Sequence, residues 1–184
     1  EGLHVFVPGR TQAKIDAVAE SIRLAGGSAE PFLCDATQEA EVVALFEAAD
    51  AADDGLLLAA FNAGNNSRKP LLEMTASWFE NTTASLRGKP PFTAFASAKA
   101  GLRSLAQSMA KEFGPQGIHV GHVVIDGAID GEKIRTNLPE AVEIKGEDGL
   151  LDIDAIAEAY WQLHRQQRSA WTFELDLRPY KEAF

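Results

Sequence analysis

The sequence predicts an α/β domain built on a doubly wound parallel sheet, in three layers of helix, sheet and helix. Three observations predict it. Short apolar runs rich in strand formers alternate with stretches whose apolar residues recur at helical spacing. One run, Leu56–Phe61 (LLLAAF), is continuously apolar, as in a strand covered on both faces. Neither a repeat nor a low-complexity tract breaks the alternation over 184 residues, a length that suits one domain. Strands that alternate with helices pair in parallel, each helix serving as a right-handed crossover.

The elements follow in order. Leu3–Val7 (LHVFV) reads as the first strand and is expected to be buried. Residues 11–25 place Ile15, Val18 and Ile22 at helical spacing, and Gly26-Gly27 stop that helix. Pro31–Asp35 (PFLCD) is a second strand that ends in an acid. Residues 38–52 form a helix with Val42, Leu45, Phe46 and Ala49 on one face. Leu56–Phe61 is the expected buried third strand. A helix beginning near Met74–Trp78 is cut short by the loop TTASLRGKPP. Residues 93–113 form the longest helix, with Phe95, Ala98, Leu102, Leu105, Met109 and Phe113 on one stripe. Ile118–Ile125 is a further buried strand, residues 152–165 a helix, and Trp171–Leu177 an alternating last strand. The first strand has no βα unit before it, and the helix from Trp78 does not finish. The domain over 1–184 is therefore expected to lack two stretches, one before Glu1 and one near Asn81–Thr83.

Composition excludes several functions. Seventeen Lys and Arg against 27 Asp and Glu give a net charge of −10. Nucleic acids and anionic membranes need clustered cations, so neither is an expected partner. A hydrophobic fraction of 46% supports a sizeable core. The single cysteine, Cys34, cannot form an internal disulfide, so a cytoplasmic home is expected. No apolar run approaches the ~20 residues of a membrane span, and no signal-peptide pattern opens the chain. The four histidines show no metal spacing, and His119 and His122 are expected to serve packing or the surface.

Three short motifs carry chemistry. Asn62-Ala63-Gly64 follows the apolar strand, where small residues let backbone approach a ligand and Gly64 permits φ > 0. Phe95-x-x-x-Lys99 opens the longest helix, with both residues on one face. Asp126-Gly127 follows a later strand. In this order, these motifs resemble the short-chain dehydrogenase/reductase family, over almost the whole chain. The family has NNAG, YxxxK and Pro-Gly at the three places. The resemblance implies a Rossmann-type sheet and carbonyl/alcohol redox chemistry on a small molecule, with NADP(H) or NAD(H) as cofactor. It also implies assembly as a homodimer or homotetramer.

In that fold the end of the first strand, Gly9-Arg10, lies beside the adenosine ribose. An arginine there pairs with a 2′-phosphate, so Arg10 favours NADP(H). The plainer alternative is a solvated arginine ahead of a helix capped by Thr11. The resemblance places Asp35-Ala36 at the adenine amino group; otherwise Asp35 is an ordinary turn acid. The family's fingerprint TGxxxGxG is not in the sequence and would precede Glu1.

The family's catalytic positions fall on Thr82, Phe95 and Lys99. Its lysine binds the nicotinamide ribose and lowers the pKa of its tyrosine; its serine binds the substrate oxygen. Lys99 matches the lysine. Thr82, thirteen residues before Phe95, stands where the serine is expected, with Thr83 and Ser85 as other candidates. Phe95 replaces the tyrosine and has no proton to give. Asp126 replaces the proline, either as a turn cap or as a substitute acid/base; Asp-Gly is first of all a turn signal. The departures leave two expectations open: an oxidoreductase with altered acid/base machinery, or a non-catalytic dinucleotide-binding sensor or assembly subunit. Substrate choice is expected to lie in loops such as Ile129–Pro139.

Overall fold

The computed structural model describes residues 2–52, 55–62 and 93–181, with backbone only for 93–95. The chain divides into two compact units, Glu1–Ala63 and Gly64–Phe184. Both are α/β with parallel strands, as the sequence predicts.

The first unit runs β1 (His4–Gly9), α1 (Gln12–Leu24), β2 (Ser28–Leu33) and α2 (Glu39–Asp50). β1 and β2 pair in parallel, from His4 opposite Ser28 to Gly9 opposite Leu33. Parallel neighbours need a crossover, and α1 supplies it. Its inner face buries Ile15 and Ala19, one turn apart. Gly26, at φ +85°, ends the helix in the left-handed region where only glycine is at ease. Thr11 does hold the N-cap position, but its side chain makes no capping hydrogen bond. Its carbonyl accepts the amides of Lys14 and Ile15 instead.

Two expectations of burial are corrected here. β1 forms, yet Val5 is 38% exposed and the strand is half-buried at most. Leu56–Phe61 forms no strand, and Leu57 and Phe61 are 54% and 65% exposed. A continuous apolar run reports a demand for burial. A central strand also needs a ladder partner on each edge, and among the described residues this run has none.

Among the described residues of the second unit the first element is α3 (Thr93–Phe113), whose bounds match the expected helix. A 3₁₀ turn (Gly114–Gln116) leads to β3 (His122–Ile125). Then follow α4 (Glu132–Asn137), α5 (Pro139–Lys145), α6 (Ile153–His164), a second 3₁₀ turn (Arg168–Ala170) and β4 (Glu174–Leu177). β3 and β4 are parallel, with His122 opposite Glu174 and Ile125 opposite Leu177. Val124, Leu151 and Leu163 are buried beside them. Asp152 caps α6 by accepting the Ala155 N–H at 2.8 Å.

Both strands are shorter than the sequence predicts, because side chains take over the backbone before the ladder. The Thr172 N–H donates to Gln166 Oε1 at 2.7 Å, and the Thr172 carbonyl lies 2.9 Å from His119 Nε2. Only from the His122 N–H to Phe173 O bond (2.7 Å) do the two backbones meet. The loop Ile129–Pro139 holds a helix that periodicity did not show: α4 has six residues, too few to display a stripe. α5 starts at Pro139, a residue suited to a first turn.

Candidate functional site

In α/β sheets the carboxyl ends of parallel strands present ligand-binding groups. In the first unit that edge carries four expected residues. Gly9 closes β1, and its carbonyl accepts the Cys34 N–H at 3.0 Å. A Cβ on Gly9 would stand 2.6 Å from Ile15 Cγ2, so glycine lets α1 start this close to the strand end. Arg10 follows with its side chain 75% exposed and Nη1 4.0 Å from Asp35 Oδ2. A pair this loose and this wet adds little stability, which leaves the guanidinium able to meet an anion. Asp35 Oδ1 accepts the Thr37 N–H (2.9 Å) and the Thr37 hydroxyl (2.8 Å). These bonds, the backbone one foremost and with help from Arg10, hold its carboxyl below the usual carboxylate range. Asp35 therefore shapes the turn before α2 and also faces Arg10. Ala36 is exposed beside it, and Asn62 is exposed in no regular element. Ala63, Gly64 and Thr82 lie outside the described residues, as do Thr83 and Ser85.

In the second unit α3 carries the backbone of Phe95 in its first turn and Lys99 one turn later. The Lys99 side chain is half-buried. Burial alone pushes its ammonium below the usual lysine value, with no carboxylate among the described residues to oppose it. Asp126 extends the β3–β4 ladder through its N–H to Leu177 O (2.9 Å). Its carboxylate pairs with Arg178 Nη2 at 3.3 Å, and Arg178 also binds Asp176. Gly127 has a packing reason: a Cβ there would lie 2.6 Å from Pro179 Cδ. The loop beyond it locks Arg135 onto Asp130 through two bonds of 2.6 Å, beside a cavity of about 250 Å³ that both residues line.

Two residues of this unit, Arg103 and Glu174, carry no expectation from the sequence, and a third, His122, is expected there only in packing or at the surface. Arg103, one turn beyond Lys99, donates from Nε and Nη2 to both carboxylate oxygens of Glu174, the second bond at 2.8 Å. His122 stands opposite Glu174 and is only 7% exposed. Its Nδ1 is 3.4 Å from Glu174 Oε2, close enough for an ion pair but without hydrogen-bond geometry. Burial therefore outweighs the attraction of Glu174 and lowers the His122 pKa, with the Arg103 and Lys99 charges adding to the shift. Glu174 is held below the usual carboxylate range, first by the Arg103 hydrogen bonds. His119, in contrast, stacks flat on Trp171 with ring centroids 4.8 Å apart, a packing role as expected. The spacing of Lys99 and Arg103 was visible in the sequence. Their link to Glu174 needed the strand register.

Among the described residues no group of His, Cys, Asp and Glu could hold a metal ion. No described helix is long and apolar enough to cross a membrane.

No protein-family model matches the chain. Solved structures do. A short-chain dehydrogenase from Rhodopseudomonas palustris is 35% identical, with 97% of this chain and 88% of that one covered at a TM-score of 0.72. A metagenomic short-chain oxidoreductase in complex with NADP is 21% identical, with 97% and 86% covered at a TM-score of 0.77. Among curated proteins, mouse dehydrogenase/reductase SDR family member 1 is 34% identical over 96 residues. That match spans 47% of this chain and about a third (31%) of the mouse protein. The chain belongs to the short-chain dehydrogenase/reductase family.

Proposed function

We propose that this short-chain dehydrogenase/reductase binds a nicotinamide dinucleotide and acts as an NAD(P)-dependent oxidoreductase on a carbonyl or alcohol, with altered acid/base machinery. One observation carries the proposal: a half-buried, desolvated Lys99 on the helix where the family places its ribose-binding lysine. A desolvated ammonium gains more from ligand hydroxyls than one already served by water. The residues present fit such a cofactor. Arg10 offers an exposed guanidinium at a strand's carboxyl end, the chemistry that pairs with a 2′-phosphate. On that ground NADP(H) is preferred over NAD(H). Gly9, Asp35, Ala36, Asn62, Ala63 and Gly64 are assigned to the adenosine side and its backbone approach. Asp126 and Gly127 are assigned to the nicotinamide side. With its carboxylate on Arg178, Asp126 is better suited to hold the strand ends together than to move a proton.

The bound dinucleotide would supply the hydride chemistry, and the protein orientation and electrostatics. Phe95 cannot donate a proton, so Lys99 or a hydroxyl such as that of Thr82 must hold the substrate oxygen's proton. The same phenylalanine favours a second reading, a dinucleotide-binding protein without turnover. Titration with NADPH and NADH, followed by a carbonyl and alcohol panel, separates them. Binding with turnover supports the enzyme, binding alone supports the sensor, and no binding refutes both. Assembly is proposed through α3, whose stripe leaves Leu105 and Met109 56% and 38% exposed. A monomeric mass by light scattering at micromolar concentration would refute it.

A further inference from the structure

Lys99 and Arg103 stand four residues apart on α3, so two cations share one helix face with Cβ atoms about 5–6 Å apart. Like charges at this spacing repel. β4 supplies the counter-charge. Glu174, 71 residues further along the chain, accepts both donors of the Arg103 fork. Such two-point contact fixes the guanidinium plane as well as cancelling its charge. His122, opposite Glu174 in the ladder, is buried and neutral near pH 7. At the ends of these two strands the carboxylates of Asp126 and Asp176 both pair with Arg178. Among the four described residues Lys99, Arg103, His122 and Glu174, Arg103 and Glu174 cancel and His122 carries no charge, which leaves the Lys99 ammonium as their net charge.

We propose that Glu174 is a positioning residue for Lys99, acting through Arg103. Its carboxylate holds and neutralises the guanidinium, so that the Lys99 ammonium meets a ligand without a competing cation one turn away. The inference rests on Lys99 being a cofactor-binding residue, but its own test needs no cofactor.

The test is trace acetylation of Lys99 in the full chain at pH 8 with acetic anhydride. Mass spectrometry reads the product, normalised to the exposed Lys14. Glu174→Gln leaves the Arg103 charge uncancelled and disfavours the ammonium, so labelling should quicken about three- to tenfold. Arg103→Gln leaves the carboxylate uncancelled and should slow labelling by a comparable factor. The double variant should return to within about twofold of the starting protein, the signature of direct coupling. Opposite signs with rescue are not what general loosening of α3 would give. If both single variants move the rate in one direction, or neither moves it while circular dichroism stays native, the proposal is overturned. Should Glu174→Gln fail to fold, the sign of Arg103→Gln decides alone. A parallel NADPH titration keeps the two ideas apart. The expected labelling pattern without NADPH binding would support the positioning role and overturn the cofactor reading.

Discussion

Replacing Arg10 by aspartate should reverse the order of preference between NADPH and NADH. The size of the effect follows from the site's exposure. The Arg10 side chain is 75% exposed, so its charge acts through a nearly aqueous dielectric. A guanidinium about 5 Å from a phosphate of charge near −2 then gains about 1.7 kcal/mol, and physiological salt roughly halves that. Reversing the sign of the side chain removes the attraction and adds a similar repulsion, for a swing of about 2 kcal/mol. The affinity ratio should therefore shift roughly 20- to 30-fold. Asp35, 4.0 Å from Arg10, works against the phosphate in both proteins and cancels from the comparison to first order. The assay is fluorescence titration of each cofactor into each protein, at low and at high salt. The NADPH preference should shrink as salt rises. An affinity ratio that ignores both the substitution and the salt would refute the assignment of Arg10.

Phe95→Tyr should place a phenol one turn before the Lys99 ammonium and raise turnover of simple ketones or alcohols by ~10²-fold or more, the usual scale of general acid–base catalysis. Steady-state assay would show it, and a fast starting protein slowed by the change would mean that the proton comes from elsewhere. Gly127→Ala drives a Cβ to within 2.6 Å of Pro179 Cδ and should cost about 1–3 kcal/mol. A thermal melt should show a drop of several degrees, and an unchanged midpoint would mean that the Arg178–Pro179 segment yields freely. Stability should also fall between pH 7 and pH 5. The folded His122 binds its proton less readily than the unfolded one, so its contribution is present above the ordinary histidine value and fades as the unfolded state protonates. One such group contributes at most about 1.4 kcal/mol per pH unit. Urea titrations of the protein and of His122→Leu should show a flatter slope in the variant over this range; equal slopes would remove His122 from the explanation.

The helices were legible because each carries its own evidence. The helix over 11–25 with its Gly26 stop and the helix over 93–113 are local patterns, and their bounds reappear within a residue or two of the expected place; of the expected face Ile15 is buried, while Val18 is exposed and Ala19 is buried in its stead. Strand extent was less legible, because a strand's length is a property of the pair. Nothing around Thr172 says that Gln166 and His119 will occupy its backbone groups. The apolar run Leu56–Phe61 shows the same limit from the other side: composition asks for burial and cannot provide the neighbours. Arg10 and Asp35 in the first unit and Lys99 in the second could be picked out as candidates because each has a definite place at a strand end or on a helix face. Glu174 could not. It reaches Arg103 only through a register between β3 and β4 that no local pattern encodes. Asp126 could be named but not given a role until Arg178 stood beside it.

The most direct measurement is titration of NADPH and NADH into the protein and into Lys99→Ala. Saturable binding is expected for the unaltered protein, tighter for NADPH. Loss of the ammonium should weaken both cofactors about tenfold or more, the worth of a charged hydrogen bond in a desolvated setting. Binding that ignores Lys99→Ala would contradict the place given to this lysine, and absence of saturable binding for either cofactor would contradict the function itself.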